Sequence, residues 1–275
     1  MHLGGLAGVT AAVMARLGAS AAFVGSLGED SFGDQIIQAL DQRGVETDHI
    51  RRDKHHNTSA TVVLIDEAGE RTFLHHMGTN ATVKPEDLDQ EFIHHARILH
   101  WGGPGITPGL EGDAMAGVYK AARDAGVTTS MDTCYDGKGV WNPLIAPSLP
   151  HLDIVCTSIE EATHYTGCDT PEDIGRFFLD HGARRVLVKL GPEGAYACDA
   201  EASVRLPAHQ VDVVDTTGAG DAACAGFLYG HLHNWDLERS TALANAIGAL
   251  TVQAMGGADG VTSLKQAQEL MEEQP

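Results

Sequence analysis

The chain has 275 residues, 43% apolar and 5% aromatic, enough for a single α/β domain spanning 1–275 with a full core. A formal net charge of −20 argues against a nucleic-acid backbone or an anionic membrane as partner, so any site for an anion must make its own local positive potential. Cys134, Cys156, Cys168, Cys198 and Cys224 are odd in number with no CxxC pair, no run reaches transmembrane length and the start lacks a basic leader, all of which predicts a cytoplasmic protein with free thiols.

Val9, Val13 and Leu17 recur at helical spacing and predict a first helix ended by Gly18. The apolar run from Ala21 to Gly25 predicts a strand, and the loop from Gly25 to Asp30 then leads into a helix whose apolar face is Phe32, Ile36, Ile37 and Leu40, stopped by Gly44. Open α/β sheets place ligands at such strand-to-helix loops. Ser59 to Ile65 and Arg71 to His75 read as two strands joined by the turn residues Asp66 to Gly69, a hairpin at about 58–76. Strands at Arg97 to Trp101, Val127 to Asp132, Asp153 to Thr157 and Arg185 to Leu190 then alternate with helices at Leu110 to Ala125, from Ile159, and at Pro171 to His181. That alternation implies a mostly parallel sheet. A hairpin near Ala195 to Arg205, a β-branched strand at Val211 to Val214, and helices from Ala222 to Leu232, Leu237 to Met255 and Ser263 to Glu273 complete the chain. The adjacent histidine pairs, such as His55-His56, diverge on any regular element and predict no metal site.

The chemistry concentrates in Asp215-Thr216-Thr217-Gly218-Ala219-Gly220-Asp221, between the β-branched run and a helix of small residues. Gly218 and Gly220 have no Cβ to block a ligand, and the backbone N–H groups at a helix start, together with the helix dipole, favour an anion. Asp221 would repel that anion unless it has a task, and the task that fits is to accept a proton from an attacking hydroxyl beside a phosphate. Two other readings stay open. Gly218-x-Gly220-x-x-Ala223 fits a loose dinucleotide fingerprint, but Glu238, the acidic residue at the required spacing, opens a helix instead of ending a strand. A structural turn with Asp221 as an N-terminal helix residue is the other.

The heptapeptide resembles the signature of the ribokinase-like (PfkB) family of carbohydrate and nucleoside kinases. Gly4-Gly5 followed by Val13 to Gly18 and then Val24 to Gly33, the stretch Asp66 to Phe73, Ser158-Ile159-Glu160-Glu161, and Lys189-Leu190-Gly191-Pro192-Glu193-Gly194 fall in the family's order over nearly the whole chain. The resemblance implies a three-layer αβα fold with a mostly parallel central sheet and a small β lid that often pairs with a second subunit, giving a homodimer. It implies ATP and Mg²⁺ as cofactors and a small sugar or sugar-like alcohol phosphorylated on a hydroxymethyl group, with nucleosides as alternative acceptors.

By the same resemblance Asp221 is the general base, and the N–H groups of Gly218, Ala219 and Gly220 stabilise the transferred phosphoryl group. Ser158 and Glu161 match an Asn-x-x-Glu motif that holds Mg²⁺ through water, with Ser158 in place of the amide. Lys189, Gly191 and Gly194 form the nucleotide loop, and Asn245 lies beside the adenine. Gly4, Gly5 and Asn80 contact the sugar. Asp215 and Thr217, with backbone carbonyls near Thr251, Ala254 and Gly256, resemble a monovalent-cation site, which would take K⁺.

Two departures stand out. Only Met1-His2-Leu3 precedes Gly4, where the family has a first strand and a substrate-binding Asp, and Val9 replaces an Asn that contacts sugar. These departures, together with Ser158, favour a rival in which the chain is a catalytically impaired ligand-binding or oligomer subunit. They also predict an exposed sheet edge covered by a partner chain or a rearranged terminus.

Overall fold

The computed structural model describes residues 2–65 and 71–273. Helix α1 (Leu6–Arg16) is followed by β1 (Ala21–Ala22), β2 (Gly25–Gly28), α2 (Ser31–Asp41), β3 (Val45–Glu46) and β4 (Ile50–Asp53). The hairpin strands β5 (Ala60–Ile65) and β6 (Arg71–His76) come next, then α3 (Gln90–His94), β7 (Ile98–Gly102), α4 (Asp113–Asp124) and β8 (Thr128–Asp132). The second half contains α5 (Asn142–Ile145), β9 (Ile154–Ser158), α6 (Ile159–Thr166), α7 (Pro171–Asp180), β10 (Arg185–Lys189), β11 (Ala195–Asp199) and β12 (Ser203–Leu206). Three helices end it: α8 (Ala219–Leu232), α9 (Leu237–Val252) and α10 (Leu264–Glu272).

Caps explain several boundaries. The Asp30 carboxylate accepts from Gly33 N–H at 2.8 Å and starts α2, and Thr170 with Pro171 at the first helical position starts α7. Ser158 and Glu161 form a reciprocal capping box at α6. Gly167, at φ 73, ends α6 in the left-handed region where a Cβ would be strained.

The main sheet has six strands in the order β12-β11-β10-β9-β8-β7. Strands β7 to β10 run parallel, and β11 and β12 add an antiparallel edge. The middle of β9 and β10 is fully buried, as parallel strands covered on both faces must be. On one face α4, α6 and α7 pack around Tyr119, Tyr165 and Phe178. On the other, α8 and α9 pack through Cys224, Phe227 and Leu228, with α1 beside them. This is the expected three-layer αβα arrangement. Among the described residues β7 pairs only with β8, and its last residue, Gly102, lies against the start of α1 so closely that a Cβ there would sit 2.8 Å from Leu6 Cβ.

Three expectations need correction. The apolar run from Ala21 to Gly25 is broken: β1 ends at Ala22, and Gly25–Gly28, expected as a loop, is a strand paired in parallel with β4. Short pairs form here because each segment finds a partner in the chain that follows α2. Val211 to Val214 is not a strand, and Val213 and Val214 are 62% and 60% exposed. Among the described residues no neighbouring strand offers it a ladder, and its end is held instead by Val214 and Asp215 N–H groups donating to the Val252 carbonyl at 2.7 and 3.1 Å. β-Branched residues favour a strand only where a pleated surface is there to pack on. Helix α8 starts at Ala219, three residues earlier than expected, so Gly218 is its N-cap and Gly220 lies in its first turn.

The hairpin at 60–76 forms as expected, in a two-stranded sheet of its own separate from the main sheet. Its turn residues, Asp66 to Gly69, lie outside the described residues.

Candidate active site

Gly218 caps α8 at φ 76, and a Cβ on it would lie 2.8 Å from Gly257 Cα, so both the conformation and the space require glycine. The turn is braced from below. Thr217 N–H donates to Asp215 Oδ1 at 2.9 Å, and Gly256 N–H reaches Asp215 Oδ2 at 3.4 Å. Ala219 N–H bends back to the Thr216 carbonyl at 3.3 Å, and the Gly218 and Gly220 N–H groups lie on either side of it at the head of α8. Asp221 stands in the first turn of α8. Thr10 of α1 donates its hydroxyl to the Asp221 carbonyl at 3.1 Å and so fixes α1 against this turn.

Behind Asp221 lies a buried charge cluster at the carboxyl ends of the parallel strands, where ligands of open α/β sheets bind. Lys189, ending β10, places Nζ 2.7 and 2.8 Å from the two oxygens of Asp132, which ends β8. A Cβ on Gly220 would meet that same Nζ at 3.2 Å, so the ammonium lies directly under the start of α8. Glu161, in the first turn of α6, accepts from the Thr133 hydroxyl at 2.6 Å.

Burial, reinforced by the Asp132 and Glu161 charges and opposed by Lys189, pushes the Asp221 carboxyl up to about 7. Burial likewise raises Glu161 and Asp132, with Lys189 pulling both back. Burial alone would lower Lys189, but Asp132 and Glu161 outweigh it and hold the ammonium charged. Cys134 in the same cluster is pushed up to about 12 by burial and the neighbouring carboxylates, which makes it an inert thiol.

Three carboxylates against one ammonium leave the cluster short of positive charge. Among the described residues no group of three His, Cys, Asp or Glu side chains is placed to cage a metal ion. With Asp132 taken by Lys189, the Glu161 and Asp221 carboxylates are the oxygen donors that remain, a set that suits a cation such as Mg²⁺, which takes one or two carboxylates and completes its shell with waters and phosphate oxygens.

The remaining expected residues fall into separate groups. Gly191 (φ 59) and Gly194 (φ 97) flank a tight turn after β10, and a Cβ on Gly194 would lie 2.0 Å from the Leu206 carbonyl. Asn245, in α9, donates its amide to the Leu206 and Pro207 carbonyls at 3.2 and 3.0 Å. That contact explains an Asn inside a helix. Lys189, expected with this loop, instead sends its side chain into the carboxylate cluster.

Gly4 and Gly5 are exposed before α1. Asn80 sits in a 3-10 turn, Gly78–Ala81, anchored by buried Thr79, whose hydroxyl donates to the Ser26 carbonyl at 2.8 Å. Val9 is 1% exposed and packs in the core with Leu250 and Ala258, so position 9 contributes packing in place of an amide.

The loop after α9 brings Gly256 to Asp215, while Thr251 is buried with its hydroxyl on the Ile247 carbonyl at 2.8 Å and its own carbonyl takes Ala254 N–H at 3.3 Å. Arg16 holds this loop through the Ala258 and Val261 carbonyls, and Arg43 holds it through Asp259 at 2.6 Å. Sequence reasoning missed this clamp, which has no local pattern. It also missed the Asp132–Lys189 pair, whose members end β8 and β10, the two strands on either side of β9.

A helix N-terminus opened by glycines, a carboxyl in its first turn and a buried carboxylate–ammonium cluster at one rim of an αβα sheet define an α/β enzyme built to handle anionic groups. The chain belongs to the pfkB family of carbohydrate kinases, which matches residues 1–264. It is 33% identical over 260 residues to an ATP-dependent ribose-1-phosphate kinase from Halopiger xanaduensis, covering 94% of this chain and 83% of that one. It is 31% identical over 266 residues to an aminoimidazole riboside kinase from Salmonella typhimurium, covering 92% and 82%. The Arabidopsis thaliana ribokinase solved with ribose and ATP superposes at a TM-score of 0.85 with 29% identity, covering 98% of this chain and 87% of that one. Among the described residues no helix is long and apolar enough to cross a membrane.

Proposed function

We propose that this carbohydrate kinase uses Mg²⁺-ATP to phosphorylate a hydroxymethyl group of a small sugar or sugar-like alcohol. The observation that carries the reading is the position of Asp221, one residue behind the open Gly218-x-Gly220 turn and lifted by burial toward neutrality. A general base works best when its proton affinity matches the working pH. Asp221 accepts the proton of the acceptor hydroxyl as its oxygen attacks phosphorus. The N–H groups of Gly218 and Gly220, and that of Ala219 once freed from Thr216, face the negative charge that spreads over the transferred group. Lys189, neutralised on one side by Asp132, keeps a positive charge under the same turn.

Glu161, held by Ser158 and Thr133, would bind Mg²⁺ through water, and that ion would offset the charge of the phosphates. Gly191, Gly194 and Asn245 frame the nucleotide side, and Gly4, Gly5 and Asn80 the acceptor side. Asp215 and Thr217, with the carbonyls of Thr251, Ala254 and Gly256, would hold a monovalent cation such as K⁺ at the base of the turn. The hairpin acts as a lid and as the contact for a second copy. Val62, Leu64 and Leu74 are 57%, 50% and 57% exposed on one of its faces and Phe73 is 54% exposed on the other, more apolar surface than a free ribbon keeps.

Product analysis tests the reading. Carbon-13 and phosphorus-31 spectra after incubation with Mg-ATP and a panel of pentoses, hexoses, ketoses, polyols and nucleosides should show an ester at a primary hydroxymethyl carbon. An ester at a secondary carbon, or no ester from any of them, overturns it.

A further inference from the structure

Acidic residues outnumber Lys and Arg by 38 to 18 in this chain, yet one open cavity of about 630 Å³ gathers Arg51, Arg52, Lys54 and Lys84 with His55 and His56. It shares no lining residue with the turn at 215–221. It lies where the hairpin meets the body, since residues 51–56 lead into β5 and residues 81–84 are the end of the 3-10 turn that carries Asn80 and the residues after it.

The negative charge around it is already committed. Asp53, the carboxylate in the lining, accepts the His55 and His56 N–H groups at 2.8 and 3.1 Å, and those bonds hold it at about 2 and shape the 53–56 turn. Asp34 takes one arm of Arg52 at 2.7 Å, and Arg51 reaches Asp53 at 3.4 Å through Nη2 and Asp87 at 3.5 Å through Nε. The Nε atoms of Arg51 and Arg52 are buried without a hydrogen-bond partner. Lys54 and Lys84 are exposed and form no ion pair among the described residues. Planar guanidinium donors backed by two exposed ammonium groups match a tetrahedral oxyanion, and the volume leaves room for a sugar-sized body beside it.

We propose that this cavity binds the phosphate group of a small phosphorylated metabolite, at a site separate from the anion turn of α8. Inorganic phosphate is the first probe, followed through the imidazole proton resonances of His55 and His56 in the full chain. Both should shift in a saturable way with phosphate and stay still with chloride at equal ionic strength. The Lys54→Gln/Lys84→Gln double variant, which changes only exposed side chains, should weaken the apparent affinity at least tenfold, and Arg51→Ala should do so more strongly if its Tm shows that it is folded. No shift, an equal shift with chloride, or an affinity unchanged in the double variant overturns the site.

Ribose 5-phosphate then identifies the source of the phosphate. Inhibition relieved by raising the sugar acceptor assigns it to the acceptor's own phosphate, whereas a rate change that the acceptor does not relieve assigns it to a separate effector. No rate effect at concentrations that saturate the histidine shifts overturns a functional use of the cavity.

Discussion

At the residue scale the site turns on how burial treats charge. Asp221 has its carboxyl raised to about 7, so between the ordinary aspartate value, near 4, and about 7 the folded chain holds more protons than the unfolded one. Stability contributed by this position is therefore lost as the pH rises through that window. In the absence of metal and nucleotide, Asp221→Asn should raise Tm at pH 8 by about 2–4 °C and leave it nearly unchanged at pH 4. Equal shifts at both pH values, measured by calorimetry, would contradict the assigned environment. The Asp132–Lys189 pair makes the opposite point. Lys189→Met should destabilise by about 3–5 kcal/mol because it leaves a buried carboxylate unpaired, and the double variant with Asp132→Asn should recover much of that loss. Denaturant unfolding of both variants decides it, since a double variant no better than the single would mean that the pair is not a closed unit. Asp221 stood out in the sequence because a carboxylate beside an anion turn repels the anion unless it has a task, although Asp also suits the first turn of a helix, where the structure places it. The pair was not singled out, because its members lie far apart in the chain and meet only once β8 and β10 flank β9.

At the scale of elements, the turn at the head of α8 depends on backbone shape. Gly218→Ala combines a positive φ with a contact 2.8 Å from Gly257 Cα, so it should lower both Tm and nucleotide affinity. Gly117→Ala, on the exposed face of α4 with nothing near its Cβ, should instead stabilise by about 0.5–1 kcal/mol. If the two glycines responded alike in parallel melts, the turn would carry no special constraint. Helices were the most legible elements, because a Gly or a side-chain cap marks most of their ends. The strands were less so. Val211 to Val214 looked like a strand by residue type, but β pairing depends on a neighbour that local sequence does not specify, and here the neighbour is the carbonyl end of α9. Gly25–Gly28 failed in the reverse sense, since two glycines and a serine have weak strand preference and are held by pairing with β4.

At the scale of the molecule, alternating strands and helices made the mostly parallel sheet readable, and the motifs, falling in order along the chain, made the family and with it the three-layer fold readable. What stayed hidden is the distribution of charge and apolar surface. A net charge of −20 gave no hint that basic residues gather at the root of the hairpin, nor that the hairpin exposes apolar side chains on both faces. If a second copy covers that ribbon, Phe73→Asp with Leu74→Asp should halve the mass seen by light scattering while leaving Tm within a few degrees. An unchanged mass would remove the lid from the interface.

The most direct test of the whole account is ADP release from Mg-ATP with and without sugar acceptors, comparing the wild-type chain with Asp221→Asn. The account predicts acceptor-dependent turnover that falls at least about a hundredfold in the variant while ATP binding is kept, the scale expected for a positioned general base. Turnover that survives the substitution would contradict it.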